Sequence, residues 1–186
     1  MRVVGGRLKG RNLASPSSRD IRPTADRLRE SLFNILVHAY DDPMQDARVL
    51  DLFAGTGALG IEAVSHGAAF TLFIDDGAEA RALLRENVTA LGLGGTTRIF
   101  RRDATKLGPA YPLEPFSLAF LDPPYGQGLA EKALASAGAG GWLAPDALVV
   151  VEEAVKASFA PPEAFNAIER RRYDDTEFII LKFNPR

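Results

Sequence analysis

The stretch DLFAGTGALG, Asp51 to Gly60, contains GTGALG, which matches the pattern G-x-G-x-x-G at every required position. It overlaps the end of the apolar run VLDLF, 49–53, and leads into a helix-forming run at 58–66. Glycines at such a strand-to-helix turn let backbone amides and the first turn of a helix approach a bound ligand. The same glycines also suit a tight turn that binds nothing. The residues around them decide which ligand, if any, the turn holds.

Strand and helix patterns alternate along most of the chain. The predicted strands are 49–53, 70–75, 97–102, 117–122 and 147–152, and the predicted helices between them are 58–66, 78–91 and 128–138. This alternation predicts an α/β fold with a parallel, doubly wound sheet. The last two predicted strands, 167–175 and 176–183, follow each other too closely for a crossover helix, so we expect them to pair antiparallel.

The N-terminal region has a different character. Residues 2–14 predict a β-hairpin, 15–23 a Ser/Pro linker, and 24–40 an amphipathic helix with Thr24 at its N-cap. Residues 1–40 carry eight basic and three acidic residues, a charge of +5, whereas the remainder carries 14 and 21, a charge of −7. A basic arm on an acidic body suits a polyanionic partner, although a solvated arm without a partner gives the same pattern.

The composition excludes several classes of protein. The chain of 186 residues has no cysteine, which excludes disulfides and thiolate metal sites, and its two histidines are too few for a histidine-rich metal site. Its apolar runs have the length of strands rather than of membrane spans. We therefore expect one domain with a small appendage, no metal, no membrane association and a cytoplasmic location.

Acidic residues near the predicted strand ends favour one cofactor over another. Asp51, four residues before Gly55, does not suit a pyrophosphate, but it suits the ammonium and sulfonium groups of S-adenosylmethionine. Asp75, at the end of the second strand, is placed to bind ribose hydroxyls, with Asp76 as a substitute. Strand alternation would send these two side chains to opposite faces, so only one should serve. Asp103 could accept from the adenine amine or could cap a following helix.

The motif LDPPYGQG ends the fourth predicted strand and carries Asp122, Pro123, Pro124 and Tyr125. Consecutive prolines stiffen the backbone, so the Asp122 carboxylate and the Pro123 carbonyl can both accept hydrogen bonds at one place. Tyr125 offers a flat face for stacking beside them. Two acceptors and an aromatic face suit a planar group that bears an NH₂, which predicts methyl transfer to an exocyclic amine. A plain proline turn is the alternative.

Four blocks of sequence occur in a familiar order and spacing: RVVGGRLKGRNL, IRPTADRLRESLFNIL, VLDLFAGTGALGIEAVSHGA and FLDPPYGQGL. Together they resemble the bacterial 16S rRNA guanine-N2 methyltransferase family, the RsmD type, over nearly the whole chain. The resemblance implies a Rossmann-like class I methyltransferase with a seven-stranded, mostly parallel sheet, an antiparallel C-terminal strand and an N-terminal hairpin. Residues 1–23 would form the basic hairpin and linker, and 24–186 the S-adenosylmethionine-dependent domain.

The resemblance also assigns roles to residues. The catalytic candidates are Asp122, Pro123 and Tyr125, which would hold a flipped guanine. The cofactor candidates are Asp51, Phe53, Ala54, Gly55, Gly57, Asp75, Asp103 and Ala104. The resemblance gives Arg22, Thr24 and Arg27 as RNA-binding candidates, and the basic charge of the arm adds Arg7, Lys9 and Arg11 as predicted contacts to the RNA backbone. The implied partner is 16S rRNA within the small ribosomal subunit or an assembly intermediate, and we expect the enzyme to be a monomer.

Other functions remain open at this point. DPPY also suits DNA adenine-N6 or cytosine-N4 methyltransferases, although these usually need a further domain to read their target. A non-catalytic RNA-binding module could retain the fold. A protein-glutamine methyltransferase would usually carry Asn at position 122, and an NAD-dependent oxidoreductase is suggested only by the glycines. The basic run Arg170–Arg172 predicts an exposed charged strand rather than an RNA contact, and Trp142 predicts a core residue.

Overall fold

The computed structural model describes residues 1–14, 16 and 25–185. Within these residues one sheet of seven strands carries four α-helices and a short N-terminal arm. The strands are β1 Arg48–Leu52, β2 Phe70–Ile74, β3 Thr97–Phe100, β4 Phe116–Leu121, β5 Leu143–Ala154, β6 Phe165–Tyr173 and β7 Thr176–Phe183. The helices are α1 Asp26–Ala39, α2 Ala58–Ser65, α3 Ala78–Ala90 and α4 Leu129–Ala139.

The strands lie in the order β3-β2-β1-β4-β5-β7-β6. The first five strands are parallel to one another, whereas β7 runs antiparallel to both β5 and β6. The predicted mostly parallel sheet with an antiparallel C-terminal end is therefore confirmed. The β6–β7 turn is too short for a crossover, which forces the antiparallel pairing.

Helices cover both faces of the sheet, so the central strands are apolar on both sides. On one face α4 packs through Ala133 and Leu134 against a cluster that includes Leu50 and Trp142. Trp142 is fully buried, as predicted from the sequence. On the other face α1, α2 and α3 pack against alternate residues of the same strands. Each large apolar side chain in these two layers contributes roughly 1.5–3 kcal/mol by leaving water.

Helix α1 presents one apolar stripe to the sheet. Leu32, Phe33 and Leu36 are almost fully buried against residues of β1 and β4. The helix begins at Asp26 with Ala25 in the N-cap position, and no side chain caps it there. The predicted cap, Thr24, lies outside the described residues.

The N-terminal arm, residues 1–14, turns back on itself as predicted, but it is not a regular hairpin. Its antiparallel pairing is short: one bridge joins Arg2 and Asn12, and the Val3 and Leu13 amides donate to the Arg11 and Met1 carbonyls on either side of it. A single turn of 3-10 helix at Gly6–Leu8 lies between the paired segments. The physical reason is that several backbone groups of the arm bond to helix α2. The Leu8 amide donates to the Ser65 hydroxyl, which in turn donates to the Gly5 carbonyl. The arm is thus packed against helix α2 rather than projecting from the domain.

The described residues include no helix with the length and apolar character needed to cross a membrane.

Candidate active site

The site lies where the carboxyl ends of β1 and β4 meet. The chain runs outward from β1 through β2 to β3 on one side and from β4 to β5 on the other, so the strand order reverses between β1 and β4. In open α/β sheets ligands bind in the crevice at this reversal. A cavity of about 230 Å³ opens there. Its lining residues are Phe53, Ile74, Asp75, Asp76, Arg102, Asp103, Ala104, Thr105, Pro124 and Leu129.

The glycine turn after β1 is packed too tightly for side chains. Gly57 has φ +83°, and a Cβ atom there would lie 2.3 Å from Leu84 Cδ1. A Cβ atom on Gly60 would lie 2.4 Å from the Phe73 ring. The second glycine of the pattern thus permits a left-handed turn, and the third permits close contact between α2 and the sheet.

Asp75 holds this turn from the neighbouring strand. Its Oδ2 accepts from the Gly55 amide at 2.9 Å, and its Oδ1 accepts from the Gly77 amide at 2.8 Å. Two backbone donors fix the carboxylate at the rim of the cavity while leaving it lone pairs for a ligand. Asp75 therefore both shapes the turn and lines the cavity.

Asp75 and Asp76 both line the cavity, which corrects the expectation that only one of them could face it. The expectation extended the alternation of the predicted strand, 70–75, to the next residue, Asp76. The strand instead ends at Ile74, so the alternation of side chains no longer applies beyond it.

Asp51 lies beneath the turn rather than in the cavity. It is 1% exposed and sits within β1, and its Oδ2 accepts from the Gly60 amide at 2.9 Å. Burial raises the pKa of Asp51 well above its usual value of 3.8, the Gly60 hydrogen bond opposes this rise, and the charge of Asp75 adds to it. Ala54, Gly55 and Gly57 also lie outside the cavity lining and form the turn above Asp51.

Asp103 lines the cavity three residues beyond the end of β3. Its Oδ1 accepts from both the hydroxyl and the amide of Thr105, at 2.7 and 2.8 Å. These two hydrogen bonds lower the pKa of the Asp103 carboxyl. A turn, not a helix, follows it, so Asp103 is not a helix cap. Its ionised carboxylate is available to accept from an amine.

The segment that carries Asp122 begins immediately after β4 and borders the same cavity through Pro124. Asp122 is half-buried, Pro123 is buried and Tyr125 is half-buried. The Tyr125 hydroxyl donates to Glu152 Oε1 at 2.8 Å and lies 2.8 Å from the Thr176 hydroxyl. Of the four predicted residues Asp122 to Tyr125, only Pro124 belongs to the cavity lining, and the others adjoin it in the chain.

Glu152 and Glu153 were not predicted as site residues from the sequence; they are 3% and 1% exposed at the carboxyl end of β5. Glu153 Oε1 accepts from the Gly126 amide at 3.0 Å. A signal existed: two adjacent acids end the otherwise apolar run ALVVVEE. Buried acids in that position need donors, and the neighbouring strand end supplies them.

The N-terminal arm presents its cations to solvent. Val3, Leu8 and Leu13 are buried against α2 and α3, whereas Arg7 and Lys9 are exposed. Arg11 is also exposed and donates to the Ala90 carbonyl at 3.2 Å, and Arg27 is exposed on the first turn of α1. The other two predicted RNA-binding residues, Arg22 and Thr24, lie outside the described residues.

One buried side chain connects the arm to the glycine turn. Asn87 of α3 accepts from the Ala14 amide at 2.7 Å and donates to the Thr56 carbonyl at 2.9 Å. Asn87 therefore links Ala14, at the end of the arm, to the glycine turn.

Comparison with solved structures defines the class of protein. The structure named "Putative methyltransferase yhhF from Escherichia coli" matches with a TM-score of 0.84 and 31% identity, covering 100% of this chain and 99% of that one. The sheet order, the glycine turn and the DPPY segment at the point of reversal agree with this match. The protein is a class I methyltransferase with a Rossmann-like fold.

Sequence comparison then defines the family. The model described as "Conserved hypothetical protein 95" matches residues 1–182. Ribosomal RNA small subunit methyltransferase D of Escherichia coli strain K12 is 39% identical over 157 residues, which cover 84% of this chain and 76% of the relative. The protein of the same name from Haemophilus influenzae is 30% identical over 173 residues, covering 92% and 88%. The chain belongs to this family, the RsmD-type methyltransferases.

Proposed function

We propose that this protein transfers a methyl group from S-adenosylmethionine to the N2 amine of one guanine in 16S rRNA. The observation that carries the proposal is the position of the Asp122–Tyr125 segment at the rim of a carboxylate-lined cavity. The relatives named as small-subunit rRNA methyltransferases support the choice of RNA as substrate.

The cavity residues fit S-adenosylmethionine better than a dinucleotide. Asp75, Asp76 and Asp103 present three carboxylates, which suit ribose hydroxyls and amines and would repel a pyrophosphate. Asp75 or Asp76 would accept from the ribose, and Asp103 from the adenine amine. When bound, the cofactor supplies an electrophilic methyl group on its sulfonium sulfur.

Asp51 would act on the cofactor from beneath the turn. Its position under Gly60 places a buried acid close to where the methionine part of the cofactor would lie against the glycine turn. Phe53, Ala54, Gly55, Gly57 and Ala104 would supply the walls and backbone of this part of the site.

The Asp122 carboxylate and the Pro123 carbonyl would accept the two N–H groups of the guanine amine. Since this amine's lone pair is delocalised into the ring, hydrogen bonds from its protons help to localise the lone pair for attack. Positive charge that develops on nitrogen is then stabilised by the Asp122 carboxylate. Tyr125 would stack on the base. The segment thus works by positioning and electrostatics.

The N-terminal arm would bind the RNA backbone. A guanine in folded RNA must leave its stack before its amine can reach the site, and phosphate contacts hold the surrounding RNA. Arg7, Lys9 and Arg11 supply exposed cations on a fixed surface, and Arg27 adds one at the start of α1. Arg22 and Thr24 lie outside the described residues and are proposed as RNA contacts from the sequence alone.

The test is a methyl-transfer assay with labelled S-adenosylmethionine. Undermethylated small subunits, naked 16S rRNA and duplex DNA are offered in parallel, and the product is identified by nucleoside mass spectrometry. We expect N2-methylguanosine from the subunit or its rRNA, and the ratio of the two shows whether ribosomal proteins help to form the substrate. N6-methyladenine or N4-methylcytosine in DNA would contradict the substrate, and bound cofactor without any transfer would indicate a binding module.

A further inference from the structure

The hydroxyl of Tyr125 is held from two sides by residues outside the DPPY motif. It donates to Glu152 Oε1 at 2.8 Å, and its oxygen lies 2.8 Å from the Thr176 hydroxyl, which can donate to it. We call Tyr125, Glu152 and Thr176 the Tyr125 cluster. Glu152 is 3% exposed, so its bond to the tyrosine is shielded from water and stronger than a surface bond would be.

The antiparallel end of the sheet assembles this cluster. β5 and β7 pair with Glu152 opposite Phe178 and with Ala154 opposite Thr176. This register brings Thr176, the first residue of β7, beside the last residues of β5. The Tyr125 hydroxyl therefore reaches both Glu152 and Thr176. A strand parallel to β5 at this place would begin beside the amino end of β5, so its first residue could not supply the hydroxyl of Thr176.

The residues that follow Tyr125 and Glu152 are also joined by a hydrogen bond. The Gly126 amide donates to Glu153 Oε1 at 3.0 Å, and the Ala154 amide donates to the same oxygen at 2.9 Å. Two successive residues of the segment after β4 are therefore attached to two successive acids of β5. Anchoring the tyrosine by its hydroxyl fixes the direction in which the side chain points, which backbone attachment alone would leave free to change rotamer.

We infer that Glu152 is a positioning residue, which acts with Thr176 to hold the Tyr125 ring in the orientation that stacks on the substrate base. This inference rests on the proposed function, since it assumes that Tyr125 meets the base. A preorganised aromatic surface removes the cost of ordering the ring when substrate binds. The C-terminal strands then belong to the substrate site and not only to the core.

The test compares Tyr125→Phe, Glu152→Ala and the double variant in the full chain. We expect each single change to lower kcat/KM for the RNA substrate about tenfold, the loss typical of one hydrogen bond to a charged group. The double variant should be no slower than the slower single variant, because both changes remove the same bond. Affinity for the cofactor, measured by calorimetry, should stay within about twofold.

Glu152→Gln tests the role in another way, since the amide oxygen still accepts from the hydroxyl. It should recover most of the activity that Glu152→Ala loses. The matched controls are Tyr111→Phe, at a side chain that is 89% exposed, and Glu114→Ala, at another exposed position. Losses that multiply in the double variant, or a Tyr125→Phe enzyme as fast as wild type, would overturn the inference.

A measurement without substrate separates this inference from the proposed function. In protein with labelled tyrosine, NMR should show a slowly exchanging Tyr125 hydroxyl proton in wild type and Glu152→Gln, absent in Glu152→Ala. Its absence in wild type overturns the positioning role even if RNA is methylated. If wild type methylates no RNA, the proposed function fails, and the positioning role for a base falls with it although the cluster is still detected.

Discussion

At the scale of single residues, the pKa values of two candidate site carboxyl groups, Asp103 and Asp51, are shifted in opposite directions. Thr105 donors lower the pKa of Asp103, whereas burial raises that of Asp51. Asp103 is therefore ionised over a wide range of pH, while the charge on Asp51 is costly. Asp122 differs from both, because it is half-buried at the cavity rim.

Replacing Asp122 by Ala should abolish most of the activity with little effect on cofactor binding. We expect kcat to fall about 10²–10³-fold, since an acceptor of the reacting amine is lost. The cofactor dissociation constant should remain within about threefold. Asp122→Asn, which keeps one acceptor oxygen, should lose less. An equal loss of cofactor affinity in Asp122→Ala would assign this residue to the cofactor instead.

Replacing Asp51 by Asn should change how stability depends on pH. Because the folded pKa of Asp51 lies above 3.8, the folded state binds more protons than the unfolded state between these two values. The contribution of Asp51 to stability therefore falls as pH rises through that window. Each unit of pKa difference corresponds to about 1.4 kcal/mol.

Asp51→Asn removes this titration and keeps an acceptor for the Gly60 amide. Relative to wild type, its free energy of unfolding should therefore rise with pH across the window and level off above it. Urea denaturation at a series of pH values measures this difference. Asp174→Asn, at an exposed turn residue, serves as the control. A difference that does not vary with pH would contradict the raised pKa.

At the scale of elements, the N-terminal arm differs most from its sequence-based prediction. Its apolar residues are buried against α2 and α3, so its cations are held on a surface rather than carried on a free tail. A fixed arrangement of charges costs less ordering entropy when RNA binds. The basic residues of β6 differ, because Arg170 and Arg172 pair with the buried Glu177 of β7.

Reversing the exposed charges in Arg7→Glu/Lys9→Glu should raise KM for RNA about tenfold and leave kcat and cofactor affinity unchanged. If two phosphate contacts are lost, the slope of log affinity against log salt should shrink by about 1.4 for single-stranded RNA. The matched control is Lys132→Glu/Lys156→Glu, which makes the same change of charge at exposed positions away from the arm. An equal effect of both pairs would point to net charge and not to the arm.

At the scale of the whole molecule, one buried ion pair joins the arm, α1 and α2. Arg29 and Glu62 are both fully buried, with Arg29 Nε 3.4 Å from Glu62 Oε1. Arg29 also bonds to Asp26 Oδ1 at 2.8 Å and to the Arg2 carbonyl. The Val4 amide donates to Glu62. Three separate elements therefore depend on one charged contact.

Arg29→Met should lower the free energy of unfolding by about 3–5 kcal/mol, because it leaves the Glu62 charge buried without its partner. The double variant Arg29→Met/Glu62→Gln should lose less than the single variant, since it also removes that charge. Arg27→Met, on the exposed side of the same helix, should stay within about 0.5 kcal/mol of wild type. Urea denaturation at neutral pH measures all three. A double variant worse than Arg29→Met would contradict this explanation.

Local pattern predicted most of the fold, since alternating apolar runs and the glycine spacing depend on nearby residues. The spacing of the glycines at 57 and 60 is visible in the sequence, although the contacts that exclude side chains there come from Leu84 of α3 and Phe73 of β2. The Asp75/Asp76 expectation failed because it depended on where a strand ends. The antiparallel pairing of the arm was predicted, but its shortness was not, because the Val4 and Leu8 amides donate to side chains of α2. Glu152 and Thr176 were missed because only the pairing of distant strands brings them to Tyr125.

The position of β7 between β5 and β6 also bears on the order in which the chain is made. A ribosome adds residues from the N-terminus at about 5–20 per second, so β7 emerges after the other six strands. Until then β5 pairs with β4 on one side only, and its other edge has no neighbouring strand. β6 likewise has no strand with which to pair. A nascent chain halted before residue 176 would expose an apolar edge prone to aggregation and would lack the hydroxyl that supports Tyr125. The same strand should thus complete both the sheet and the Tyr125 cluster, and it is the last strand of the sheet to be synthesised.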